Sequence, residues 1–243
     1  ALIEKNANID RIRINKPGEV FTSIDEINYI KNPNILKNHV KYGRANIAGQ
    51  GVFYGSIISH QIQDSMLVAY IETSELVKMN KSIDFEEDFT LGRWRVKEKI
   101  EVADMIYNEE ALKVNQYSQE ALAMQKPKYE NLTIAEHCEE QLKFFSDEFA
   151  RNDILKGEDY SYKISSAYAN YLWKNTPFRG VTYPSVATKY FGQNIALLPE
   201  LVDRFLNLEK VVQCKFIRKN GVDTFVAVNS TTDLGPNSMN FKW

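Results

Sequence analysis

Residues 41–72, KYGRANIAGQGVFYGSIISHQIQDSMLVAYIE, gather side chains that could do chemistry on a nucleotide. Arg44 brings a guanidinium, whose paired N–H donors match the oxygens of a phosphate. Tyr54 brings a flat ring that can stack on a base or close a pocket. Glu72 brings a carboxylate, which stabilises positive charge developing beside it. Arg44 and Asn46 fall in a turn whose second half is Gly49-Gln50-Gly51, and glycine there permits positive φ or close approach to a ligand. Each has a plainer reading too: the Gly-rich stretch as a turn, Tyr54 as core, Glu72 as the solvent-facing end of a strand.

The elements that must position these groups are short. Val52-Phe53-Tyr54 reads as a buried strand ended by Gly55-Ser56, and an amphipathic segment continues to Ala69. The apolar run at residues 67–71 delivers Glu72. Upstream, residues 9–14 (IDRIRI) alternate as a half-buried strand does, which places Arg11 and Arg13 on one face. They are either a solvated strand face or a cationic rim beside a ligand groove. Far downstream, Gly180 opens the strand Val181-Thr182-Tyr183, closed by Pro184-Ser185; proline fixes its own φ and holds Ser185 on a stiff backbone. Asn194 lies in a turn-like stretch, Gly192-Gln193-Asn194, before a buried strand at 195–198.

Elsewhere, residues 89–102 alternate well enough for one strand. Residues 109–124 are rich in good helix formers and stop at Lys126-Pro127-Lys128. Thr133 and Glu136 have capping-box spacing, predicting a helix to about Arg151 with a core stripe of Ile134, Cys138, Leu142, Phe145 and Phe149. A further helix is expected over residues 160–173. Strands at 211–217 and 222–228 flank Asn220-Gly221, a strong hairpin signal. The expectation is a single α+β domain. Its core covers about 9–102 and 158–228, a helical insertion about 103–152, and a polar, poorly ordered tail 229–243.

Composition sets the outer limits. The 243 residues are 44% hydrophobic and 26% charged, ordinary for a globular protein. A net charge of −2 gives no bulk argument for nucleic acid or an anionic membrane. No apolar run is long enough to span a bilayer, and no leader pattern opens the sequence, so a cytoplasmic setting is expected. Ala1 in place of methionine is expected of a trimmed chain, a processed product or one part of a longer polypeptide. The two cysteines, Cys138 and Cys214, have no C-x-x-C spacing, and the three histidines are scattered, so neither a disulfide framework nor a metal site is expected.

Two separated stretches together resemble the RES domain family: Tyr42-Gly43-Arg44-Ala45-Asn46 with Val52-Phe53-Tyr54, and Gly180-Val181-Thr182-Tyr183-Pro184-Ser185. The family is named for an arginine, a glutamate and a serine. Arg44, Glu72 and Ser185 match these in order, and Arg11-Ile12-Arg13 resembles its first arginine-bearing strand. The resemblance covers about residues 9–76 and 158–200. The interval from Tyr54 to Glu72 is long for a compact member, which leaves Asp64 or Ser65 as alternatives to Glu72; the choice between Arg11 and Arg13 stays open.

The resemblance implies an ADP-ribosyltransferase-like core of split β-sheets with helices, and NAD as substrate with no further cofactor. It implies cleavage of the nicotinamide–ribose bond by water or phosphate. Glu72 would act on the oxocarbenium-like ribose, Arg44 with Arg11 or Arg13 would clamp the pyrophosphate, Tyr54 would stack, and Ser185 would fix nicotinamide or a phosphate oxygen. Asn46 and Asn194 would add polar lining. Many members are toxins neutralised by a small helix-turn-helix antitoxin. Two other functions stay open: mono-ADP-ribosylation of a macromolecule, and a non-catalytic nucleotide- or partner-binding module.

Overall fold

The computed structural model describes residues 1–59, 61–79, 83–155, 157–234 and 240–243. The first half of the chain runs β1 (Leu2–Ile3), β2 (Asn8–Ile14), α1 (Ile24–Ile27), α2 (Pro33–His39), β3 (Phe53–Ile57), α3 (Ser65–Thr73), α4 (Glu75–Met79) and β4 (Phe85–Val96). The middle runs β5 (Ile100–Glu101), β6 (Ala103–Asp104), α5 (Glu109–Val114), α6 (Gln116–Gln125), α7 (Ala135–Phe149) and α8 (Lys163–Asn175). The last part is β7 (Gly180–Pro184), β8 (Gln193–Leu197), α9 (Pro199–Phe205), β9 (Leu206–Lys219) and β10 (Val222–Thr231). The fold is α+β, as expected.

Eight strands form one mixed sheet in the order β10-β9-β4-β2-β3-β8-β7-β6, antiparallel except between β6 and β7. Its two halves are joined thinly. Seven residue pairs tie β2 to β4 and five tie β3 to β8, but β2 meets β3 at the single pair Asp10↔Ser56. Gly55 is needed at this crossing. A Cβ there would lie 2.6 Å from Ile9 Cγ2 and 3.0 Å from the Asp10 carbonyl oxygen.

Apolar clusters hold the halves in place. Ile9, Phe53, Trp94, Ile195 and Leu208 belong to one, with Phe53 and Trp94 edge to face at 5.3 Å between ring centres. Ile12, Tyr70, Phe89 and Phe216 form a second beneath α3. Val181, Tyr183, Ala196, Phe149 and Trp173 form a third, beneath α7 and α8. Full burial of a side chain of this size contributes about 1.5–3 kcal/mol.

The Asn-Gly hairpin forms as expected: Asn220 and Gly221 take φ of 51° and 75°, and β9 pairs with β10 directly across them. Other expectations are corrected. The strand expected at 89–102 is β4, which starts at Phe85 and stops at Val96; Ile100 instead pairs with β1. The helical segment 103–152 begins as sheet, because β6 joins β7. The capping box at Thr133 does not form: Ile134 is the N-cap residue, without a side-chain cap. Of the expected core stripe, Phe149 is fully buried but Ile134, the N-cap residue and so outside the helical stripe, is 59% exposed. Asn194 sits in β8 rather than in a turn. The tail is not simply polar overhang, for β10 reaches Thr231, Phe241 is buried and Trp243 Nε1 donates to the Phe21 carbonyl at 2.9 Å.

Candidate functional site between two strands

Where β2 and β3 part, a cavity of about 190 Å³ opens, lined by Arg11, Tyr54, Ser56, Glu72, Tyr183 and Asn194 among others. The helix that supplies Glu72 is fixed at its start. Asp64 caps α3 by accepting from the Met66 N–H at 3.0 Å. Ser65, the first helical residue, donates its hydroxyl to buried Asp10 at 2.7 Å. Asp10 is in turn held by both ends of the Arg93 guanidinium, at 2.9 and 2.8 Å. Seven residues on from Ser65, and so on the same helix face, stands Glu72. The apolar run 67–71 is therefore helix and not strand: Val68, Ala69 and Tyr70 are buried against the sheet.

Three of the expected residues converge. Ser185 Oγ donates to Glu72 Oε1 at 2.6 Å, and Asn194 Nδ2 donates to the same oxygen at 2.7 Å. Ser56 Oγ donates to Asn194 Oδ1 at 2.9 Å, fixing the direction of that amide. Glu72 Oε2 makes no hydrogen bond to the described residues. One carboxylate oxygen is thus anchored, in a side chain that lines the cavity. Ser185 is held by its own loop, in which Thr188 N–H donates to its hydroxyl at 3.2 Å and Ser185 N–H donates to the Gly192 carbonyl at 2.8 Å. Lys189 and Tyr190 take positive φ in that loop, 54° and 69°, a strained conformation that the surrounding structure must hold. Asn115 supplies part of that hold by donating to the Tyr190 carbonyl at 2.7 Å.

Arg11 is the cation of the cavity. It is 8% exposed, its Nη1 donates to the Tyr54 carbonyl at 2.6 Å, and its Nε is buried without a partner. Among the described residues no carboxylate lies within ion-pair distance. Burial pushes the guanidinium down to about 9, with the positive charge of Arg13 adding to the push and Tyr54 opposing it. Arg13 lines an adjoining groove of about 470 Å³ with Arg11, Lys16 and Glu19, and its Nε donates to the Glu26 carbonyl at 3.2 Å. The shared face expected of Arg11 and Arg13 is present, with Arg11 the deeper of the two.

Tyr54, Asn46 and Arg44 are arranged differently. The Tyr54 ring lines the cavity, but its hydroxyl accepts from the N–H groups of Ala45 and Asn46 at 3.0 and 3.1 Å and donates to Asn46 Oδ1 at 2.8 Å. Burial raises the phenol above its usual range, against the pull of those two backbone donors. Asn46 is saturated by these bonds and by the carbonyls of Lys41 and Ile47, so its amide faces the turn and not the cavity. Arg44 lies outside the lining. It donates to the carbonyls of Phe149 and Arg151 at 2.7 and 2.9 Å, at the C-terminal end of α7, where a cation also meets the negative end of the helix dipole. Its guanidinium stands 5.2 Å over the Tyr162 ring.

Ser56 and Tyr183 line the cavity, and Asp10 braces the helix that carries Glu72, without any of the three having been singled out in the sequence. Tyr183 stood in view, two residues before Ser185; Asp10 carried no signal beyond its place between Ile9 and Arg11. Among the described residues no group of three or more His, Cys, Asp or Glu is placed to hold a metal ion, and no helix is long and apolar enough to cross a membrane. No protein-family model matches the chain, and no curated protein matches it.

Proposed function

We propose that the protein cleaves the bond between nicotinamide and ribose in NAD, as an effector that depletes the dinucleotide. The observation that carries this reading is a carboxylate anchored by a serine and an asparagine in the same cavity as a buried arginine that has no counter-ion among the described residues. A buried cation without a carboxylate partner is costly, and a site that retains one is suited to an anionic ligand.

The dimensions fit a dinucleotide laid across the seam. The inner cavity, about 190 Å³, is smaller than the 300–1,000 Å³ usual for a whole ligand, so only one end of the dinucleotide would enter it. The groove leading from it carries Arg13 and Lys16 beside Arg11, where pyrophosphate oxygens would find donors. With nicotinamide against Tyr54 and Tyr183, the ribose lies beside Glu72.

As the glycosidic bond breaks, its electron pair leaves with nicotinamide and the ribose gains oxocarbenium character. The Glu72 carboxylate stabilises that charge more in the transition state than in the ground state, which is what accelerates the step. Water then adds to the sugar carbon and loses a proton, giving ADP-ribose. Ser185 and Asn194 keep the carboxylate oriented, Arg11 binds the pyrophosphate, and Arg44 positions the 43–46 turn against α7.

The test is incubation with NAD, following nicotinamide and ADP-ribose by mass spectrometry. Nicotinamide release by the wild type, lowered about a hundredfold or more in Glu72→Gln, is the expected result. Absence of release by folded protein, or equal release by Glu72→Gln, overturns the proposal.

A further inference from the structure

β10 is an open edge. Every residue from Val222 to Ser230 is exposed or half-exposed, and Val222, Val226 and Val228 are 65, 40 and 56% exposed. Nothing pairs with its outer side among the described residues. Long, apolar edge strands are usually guarded by lysine, proline or an inward-facing charge. This strand, VDTFVAVNST, has neither lysine nor proline, and its one charge shares the core-facing side with Phe225. Its single charge, Asp223, is already held by Arg218 on β9 at 2.6 and 2.7 Å. The opposite edge of the sheet, β6, is two residues long and largely buried.

The hairpin fixes which main-chain groups face out. A two-residue turn at Asn220-Gly221 makes Lys219↔Val222 a hydrogen-bonded pair, and such pairs alternate along an antiparallel ladder. Val222, Thr224 and Val226 therefore bond to β9. Asp223, Phe225 and Ala227 present their N–H and C=O groups outward. The regular stretch ends at the bulge between Ala227 and Asn229.

We propose that β10 pairs antiparallel with β10 of a second copy of this chain, on a two-fold axis through Phe225. In that register Phe225 faces its own copy and Asp223 faces Ala227, so the three outward residues of each strand exchange about six main-chain hydrogen bonds. On the outer face Thr224 meets Val226, with Val222 exposed beside them, building an uncharged β-branched stripe. Each Asp223 lies opposite an alanine, so no like charges oppose one another. The register is self-complementary, as a two-fold interface requires. The hairpin tip at one end and the bulge at the other confine it, and pairing consumes the edge, so association stops at two.

The test uses sedimentation across a wide concentration series, with two kinds of variant. Wild type is expected to reach twice the 28.1 kDa of one chain. Ala227→Pro removes an outward N–H and leaves the β9 ladder intact, and Val226→Lys places a charge in the stripe. Both should weaken association at least about tenfold. In a Cys138→Ser background, Thr224→Cys/Val226→Cys should form a covalent dimer on mild oxidation, because that cross-strand pair is close to a disulfide's span. Residues two apart in one strand cannot bridge each other, so any link is between chains. The covalent arm stands even if Ala227→Pro fails to fold. A monomer at every concentration overturns the proposal and leaves the edge to a partner of other sequence. A dimer that survives both substitutions, or forms no cross-link at these positions, overturns it as well.

Discussion

Ser185 Oγ and Glu72 Oε1 are 2.6 Å apart, joining a loop to a helix across 113 residues of chain. Together with Asn194 this contact aims the carboxylate. Replacement of Glu72 by glutamine keeps an oxygen for both donors and removes the charge. We expect Glu72→Gln to lower NAD cleavage by about a hundredfold or more, with little change in melting temperature. Ser185→Ala should cost less in rate and more in stability, about 1–2 kcal/mol, because the Thr188 N–H then loses its acceptor. Rates and thermal melts measured on the same preparations separate the two effects.

Arg11 gives a pH signature. Its folded pKa, about 9, lies below the ordinary arginine value because burial disfavours the charged form. Below about pH 9 the penalty of holding the cation is present in full. Above it the folded state releases its proton before the unfolded state does, and the Arg11 contribution to stability rises with pH. Ligand affinity runs the other way, since a pyrophosphate needs the protonated guanidinium. ADP-ribose binding followed by calorimetry should weaken as pH rises through 9. Arg11→Met should weaken binding at least about tenfold at neutral pH while melting no lower than wild type. Tight binding by that variant would remove Arg11 from the site.

Gly55 is where β2 and β3 touch. Alanine there puts a methyl group against the Asp10 carbonyl, which belongs to the backbone and cannot rotate aside. Gly55→Ala should destabilise by about 1–3 kcal/mol and open the seam. Chemical denaturation measures the first, and a raised KM for NAD with the second. A melt indistinguishable from wild type would show that the strands have room to spare.

Tyr54 tests whether the 43–46 turn is held by one hydroxyl. Tyr54→Phe keeps the ring in the cavity wall but leaves two backbone N–H groups and the Asn46 amide without their partner. A loss of about 1–3 kcal/mol is expected. If the stacking surface is what the reaction uses, kcat changes far less than stability does.

The sequence was most legible where chemistry and local geometry coincide. Asn220-Gly221 announced its hairpin because two positive φ values in succession demand such residues. Glu72, Ser185 and Asn194 could be singled out by type and by the family resemblance, and they do meet. Arg44 could be singled out by the resemblance as a candidate phosphate clamp but not as the residue that binds the end of α7, because its acceptors are main-chain carbonyls, which carry no residue-type signal. The capping-box pattern at Thr133 failed for a related reason: Ser/Thr-x-x-Glu spacing permits a cap without requiring one, and Leu132–Tyr129 turn bonding sets the helix start instead. Phe241 and Trp243 were hidden among polar neighbours, and a cluster whose members reach back to Phe21, more than two hundred residues upstream, draws them in.

One rung, Asp10 with Ser56, fastens the middle of an eight-stranded ladder. Mechanically the sheet is two plates with a slot between them, and the width of the slot is set by side chains and a glycine instead of by main-chain pairing. Such a slot can be re-gauged by single substitutions along its lips while each plate keeps its own ladder, so a lineage could alter what it admits without refolding the protein.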